Sequence, residues 1–122
     1  MSNKLIPKSE IERSKLDEKI VMETAQQVMK DFSGFGMHIA FPEDLHYAYD
    51  ELFVQLSRII EELLHTNPEK LSALLYHIDL DEKKLSDMGK ETWVEHEWIS
   101  NLILEREFLK VLTRNYFKHY GK

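Results

Sequence analysis

Two Glu-x-x-His pairs, Glu43 with His46 and Glu62 with His65, have the spacing best suited to metal chemistry in this sequence. On a helix that spacing sets a carboxylate and an imidazole one turn apart, and di-iron bundles turn two such pairs toward a shared metal. The chemistry needs the two pairs on different helices. Here both fall on one expected helix, nineteen positions apart, which is about 28 Å at 1.5 Å rise per residue. They cannot share an ion and read as surface residues at opposite ends of that helix. His38, His77, His96 and His119 lack zinc-type spacing, and there is no His-Glu-x-x-His. Glu95-His96-Glu97 spreads three polar groups over different helix faces. Ser33-Gly34-Phe35-Gly36 has neither the lysine nor the preceding strand of a phosphate loop. No serine stands in an elbow with a positioned base. Cysteine is absent, which excludes disulfides, thiolate nucleophiles and Cys-ligated zinc or iron–sulfur sites. The expectation is no cofactor, no bound transition metal and no hydrolytic activity.

Glu105 is the acid that breaks a pattern. A seam of Val94, Trp98, Leu102, Glu105, Leu109, Leu112 and Tyr116 alternates four and three apart, with a carboxylate where an apolar residue is expected. If buried, it must be paired or protonated, because an isolated buried charge is too costly. Arg58 or a tyrosine hydroxyl is the expected partner. One reading makes Glu105 a ligand-contacting or catalytic acid; the other makes it a register-setting buried pair or a partly exposed seam edge. Arg106, Lys110, Arg114 and Lys118 recur every four residues with aromatic residues between them. Such a strip could dock an acidic partner or single-stranded nucleic acid, but cations also suit a helix C-terminus. The second helix carries Glu43, Asp44, Asp50, Glu51, Glu61 and Glu62 against Arg58 alone, so its acids could face the basic row within the bundle or across a dimer.

The elements that must position these groups are helical. Gly and Pro are few and mark the boundaries. Ser9-Glu10-Ile11-Glu12 is a capping box opening a helix toward Phe32, with Gly34 as its C-terminal cap. Ser33 to Phe41 is the one non-helical stretch, with Phe35, Met37, Ile39 and Phe41 plugging one end of a bundle. Pro42 takes the first position of the second helix, whose seam of Leu45, Tyr49, Leu52, Leu56, Ile59 and Leu63 runs to about Leu64. Asn67-Pro68-Glu69 starts a short third helix. Asp79-Leu80-Asp81-Glu82 opens another that ends near Gly89. Thr92 to Tyr120 reads as a single helix, apolar on almost every side. A helix of that kind must be covered all round, so it is either the centre of the bundle or part of a subunit interface. Trp93, Leu104, Phe108 and Val111 fall on a second face beside its main seam, a patch that would mark self-association.

The net charge of −6 argues against a general nucleic-acid binder. With 43% hydrophobic and 31% charged residues in 122, the chain suits one domain with a single core over residues 1–122. No signal-like or membrane-spanning stretch is evident, so a cytoplasmic protein with no membrane role is expected. Leu74-Leu75-Tyr76-His77-Ile78-Asp79-Leu80-Asp81-Glu82-Lys83-Lys84-Leu85, followed by Leu102-Ile103-Leu104-Glu105-Arg106-Glu107-Phe108-Leu109-Lys110-Val111, resembles a group of small, all-helical, uncharacterised bacterial proteins. The resemblance covers the C-terminal half and implies a helical bacterial protein, with no activity or site residues attached. The sequence therefore predicts an all-α bundle of three long helices and one or two short ones, associating as a homodimer. The expected function is non-enzymatic interaction or adaptor work with an unknown protein partner. The alternative is a ligand-binding or enzymatic bundle with an interior polar site around Glu105.

Overall fold

The computed structural model describes residues 6–80, 82–86 and 94–120, and the regular structure among them is entirely helical. Short capping interactions decide where each helix begins. The first helical stretch is divided: α1 spans Lys8–Ser14 and α2 spans Glu18–Ser33. Pro7, not Ser9, occupies the N-cap of α1 and makes no side-chain cap bond. The chain restarts at Asp17, whose carboxylate accepts from the backbone N–H of Lys19 at 2.9 Å and of Ile20 at 3.4 Å. An aspartate so placed satisfies donors that a continuous helix would have bonded internally.

After α2 the backbone turns at Gly34 in a right-handed conformation, and the positive φ of 79° falls two residues later, at Gly36. Only glycine adopts that conformation without cost. The segment that follows plugs the bundle end with three of its four expected residues: Ile39 is buried and Phe35 and Met37 pack on the core, whereas Phe41 is 39% exposed. It is also tied down. The Gln55 side chain accepts from the Ala40 N–H at 2.8 Å and donates to its C=O at 2.9 Å, as a neighbouring strand would. The Glu51 carboxylate accepts from the N–H groups of Glu43 and Asp44.

A single 3-10 turn at Leu45–Tyr47, capped by Asp44, intervenes before α3, Ala48–Thr66. Pro42 is therefore buried in the approach to the helix and not at its first position. Asn67 caps α4, Pro68–Ile78, by accepting from Lys70 N–H at 3.1 Å, with Pro68 in its first turn. Asp79 takes a left-handed conformation at φ 68° and closes α4. Helix α5 spans Glu82–Ser86 and α6 spans Glu95–Tyr120. The expected end of α5 near Gly89 and the start of α6 at Thr92 lie outside the described residues.

Helix α6 is the centre of the bundle. It packs most extensively on α3 and α2, and α4 and α5 also lie against it. Its buried residues do not form a stripe. Ile99, Ile103 and Leu104 join Val28, Phe32, Leu52, Leu56, Ile60, Leu74 and Ile78 in the main core. One to two turns further on, Phe108, Val111 and Leu112 close a second cluster with Ile6 and Ile20. Different neighbours cover the helix at different heights, so its buried face winds around the axis. That is how a helix apolar on nearly all sides is satisfied within one chain. Among the described residues no helix is long and apolar enough to cross a membrane.

Candidate functional site

The residues singled out in the sequence do not converge. Glu105 is exposed, with 51% of its side chain in solvent, and meets Lys84 at 3.2 Å, not Arg58. Arg58 is itself exposed on α3. The buried-pair reading of Glu105 is thus corrected: Leu102 and Leu112 of the expected seam are buried, but Glu105 lies at its exposed edge. Leu104, Phe108 and Val111 are 9%, 4% and 0% exposed. The chain's own helices cover them, so they offer no free face to a second copy; Trp93 lies outside the described residues. Glu43, His46, Glu62 and His65 are all exposed, and no group of three metal-ligating side chains occurs among the described residues.

An exposed pair between charged side chains is worth about 0–1 kcal/mol. Glu105→Ala is therefore expected to leave the melting temperature within about 2 °C of the parent protein. A thermal melt checks this; a loss of several degrees would return Glu105 to the core.

The acid that α6 does bury is Glu107, two residues further on and about 200° around the helix. Its side chain is wholly enclosed. From α2, Asp31 enters the same seam with 5% of its side chain exposed. Lys110, one turn along α6, places Nζ 2.7 Å from Glu107 Oε1 and 3.3 Å from Asp31 Oδ2. The Gln27 amide donates to Asp31 Oδ1 at 3.2 Å, and His77 of α4 brings Nε2 to 3.4 Å from the same oxygen. The His77 ring packs edge-on against Phe35 and remains half in solvent. Helices α2, α4 and α6 thus meet around one carboxylate.

The two acids respond in opposite ways to this enclosure. Burial, reinforced by a hydrogen bond with Asp31, pushes the Glu107 carboxyl up to about 8 against the pull of Lys110. Burial alone would raise Asp31 as well, but the hydrogen bond from Glu107, the charge of Lys110 and the Gln27 amide outweigh it and hold the group below its usual value. At neutral pH the seam holds a carboxylic acid beside a carboxylate. A pair of titratable groups driven apart in this way marks functional sites and also structural ion networks.

Several other polar groups in the core are bonded locally, whereas the buried Tyr49 and Ser57 hydroxyls have no hydrogen-bond partner among the described residues. Thr24 and Ser100 donate to backbone carbonyls one turn back, at 2.8 and 2.7 Å. Asn115 donates to Val111 C=O and to the Glu23 carboxylate, both at 2.9 Å. Burial raises the Tyr49 hydroxyl, which is turned toward Thr24. Three members of the basic row of α6 are used inside the fold, and the fourth, Lys118, is exposed. Arg106 donates to the Asp79 C=O and carboxylate at 3.1 and 3.2 Å, and Arg114 reaches Gln27 at 3.4 Å. Among the described residues its acidic counterparts are Asp31 of α2, Asp79 at the end of α4 and Glu107 of α6 itself.

Glu107 had a signal in the sequence. One turn to either side lie Ile103, Leu104 and Val111, with Phe108 adjacent, whereas Glu105 has Asn101 one turn back. A shallow open depression lies elsewhere, between α2 and the following segment, lined by Gln26, Met29, Lys30, Met37, His38 and Ile39 among others. Fold and site together define an all-α bundle with a buried carboxyl pair at its central helix. No protein family, characterised protein or solved structure matches the chain.

Proposed function

We propose that this protein is a non-enzymatic interaction or adaptor protein, a helical scaffold that acts by docking to another macromolecule. The carrying observation is that the Asp31–Glu107–Lys110 set is closed inside the α2–α6 seam and turned upon itself. Catalytic acids must reach a substrate, and the open depression beside α2 is lined by other residues. What the bundle leaves outside is the outer face of α3. Val54 is 50% exposed there and Tyr47 54% exposed just before it. Asp50, Glu61 and Glu62 are exposed on the same helix. This acidic frame around apolar residues suits a partner with a basic, partly apolar surface.

Site-specific photo-cross-linking from Val54, in the cell of origin, tests this reading. The expected result is one discrete adduct that is absent when the cross-linker replaces Lys118 and is lost on Tyr47→Asp. An adduct at twice the 14.5 kDa chain mass would make the partner a second copy. Diffuse or absent adducts would overturn the proposal.

A second reading starts from the enclosure of Glu107, whose side chain is wholly buried. Glu107 holds a proton at neutral pH, as the general acid of an interior ligand site would. The alternative site around Glu105 is thus replaced by one around Glu107. A small molecule that raises the melting temperature of the parent protein but not of Glu107→Gln would favour it, since a ligand stabilises only the state that binds it.

A further inference from the structure

Glu107 and Asp31 come together across the α2–α6 seam with a single ammonium group, that of Lys110, against both. Fully ionised, the trio would carry one uncompensated negative charge in a seam that buries both carboxyl groups. The geometry has a second deficit. Neither oxygen of Glu107 receives a well-directed hydrogen bond, because Lys110 approaches close enough for an ion pair but off the line of a bond. One proton removes both deficits: it neutralises Glu107 and gives it an O–H to donate to Asp31. We infer that this carboxyl pair is an acid-favoured latch between α2 and α6, closed while Glu107 and Asp31 hold one proton between them and loosened when that proton leaves.

The groups facing the pair come from every helix around it. On α2 they are Gln27, which donates to Asp31, and, further along, Glu23, which is taken up by Asn115. On α4 it is His77, at the solvent edge, with Nε2 3.4 Å from Asp31 Oδ1. On α6 they are Lys110 and Arg114, the latter held by Gln27. From α3 the nearest titratable group beside this part of α6 is Tyr49, whose ring stands edge-on to Phe108, the neighbour of Glu107.

The sign follows from the proton affinities of the two acids. Glu107 is raised from 4.5 to about 8 on folding. Its contribution is complete below 4.5 and is lost as pH rises through about 8. Asp31 is lowered from 3.8, so its contribution is present above that value and is lost only as pH falls through the depressed one. The latch is therefore tightest at mildly acidic pH and opens just above neutrality.

Thermal melts of the full chain and of Glu107→Gln, from about pH 5 to about pH 9, test the inference. Glutamine keeps a donor for Asp31 but cannot ionise. The expected result is a parent melting temperature that falls across this range and a Glu107→Gln profile that is flatter, so that the two cross. Parallel profiles would overturn the latch. A carboxyl-carbon NMR titration of Glu107 in the unmodified chain decides the matter even if the variant does not fold. A midpoint near neutrality or above is expected; a midpoint in the ordinary glutamate range would overturn the inference.

Discussion

Lys110→Met is expected to lower the melting temperature by about 10 °C at alkaline pH and by distinctly less near pH 5. The methionine keeps much of the apolar stem, so the loss is mainly that of the ammonium group between Asp31 and Glu107. Removing one partner of a buried ion pair costs about 3–5 kcal/mol. The low end applies here because 24% of the Lys110 side chain stays in solvent. In acid, Glu107 keeps its proton and Asp31 keeps Gln27 and His77, so the ammonium has less to compensate. Calorimetry on both proteins at the two pH values separates these contributions. A loss of equal size in acid and alkali would mean that Lys110 contributes packing alone.

The largest single loss is expected at Phe32, which is fully buried where α2 enters the main core with Leu52, Leu56, Leu74 and Ile103. Truncation of such a ring removes its transfer free energy and leaves a cavity that a rigid bundle fills only in part. Phe32→Ala should cost about 3–5 kcal/mol, a fifth or more of the roughly 5–15 kcal/mol ordinary for a domain. Phe32→Leu keeps much of the volume and should cost about 1–2 kcal/mol. Urea unfolding measures both, with an unchanged dependence on denaturant. A Phe32→Ala protein within about 1 kcal/mol of the parent would mean that the α2 core contact is loose. Phe32 lies next to Asp31, yet the two changes act through different physics. The Lys110 effect follows pH and the Phe32 effect does not.

The sequence by itself determined that this protein is all-α. Helical periodicity, a near absence of glycine and proline, and caps such as Asn67 ahead of Pro68 are local properties, and local chemistry suffices to write them into the chain. The plug formed by Phe35, Met37 and Ile39 was also legible, because apolar residues outside a helix need a core to enter. The division of the first helix at Asp17 was less so: Ser9 and Asp17 are both competent caps, and only the way α1 and α2 lie against the rest of the chain selects between them.

What the tertiary structure decided was which side of α6 is inside. A four-and-three pattern locates a buried face when one neighbour covers the helix along its length. Here α4, α3, α2 and the start of the chain cover α6 in turn, and the apolar residues spread around the axis give no single direction to follow. The four-and-three pattern therefore points to Glu105, while packing buries Glu107 and leaves Glu105 to Lys84. The same winding encloses Leu104, Phe108 and Val111, which local sequence left looking like surplus surface. Asp31, Lys110 and His77 are far apart in sequence. Their meeting, and with it the proton held at Glu107, exists only because three helices converge on one seam.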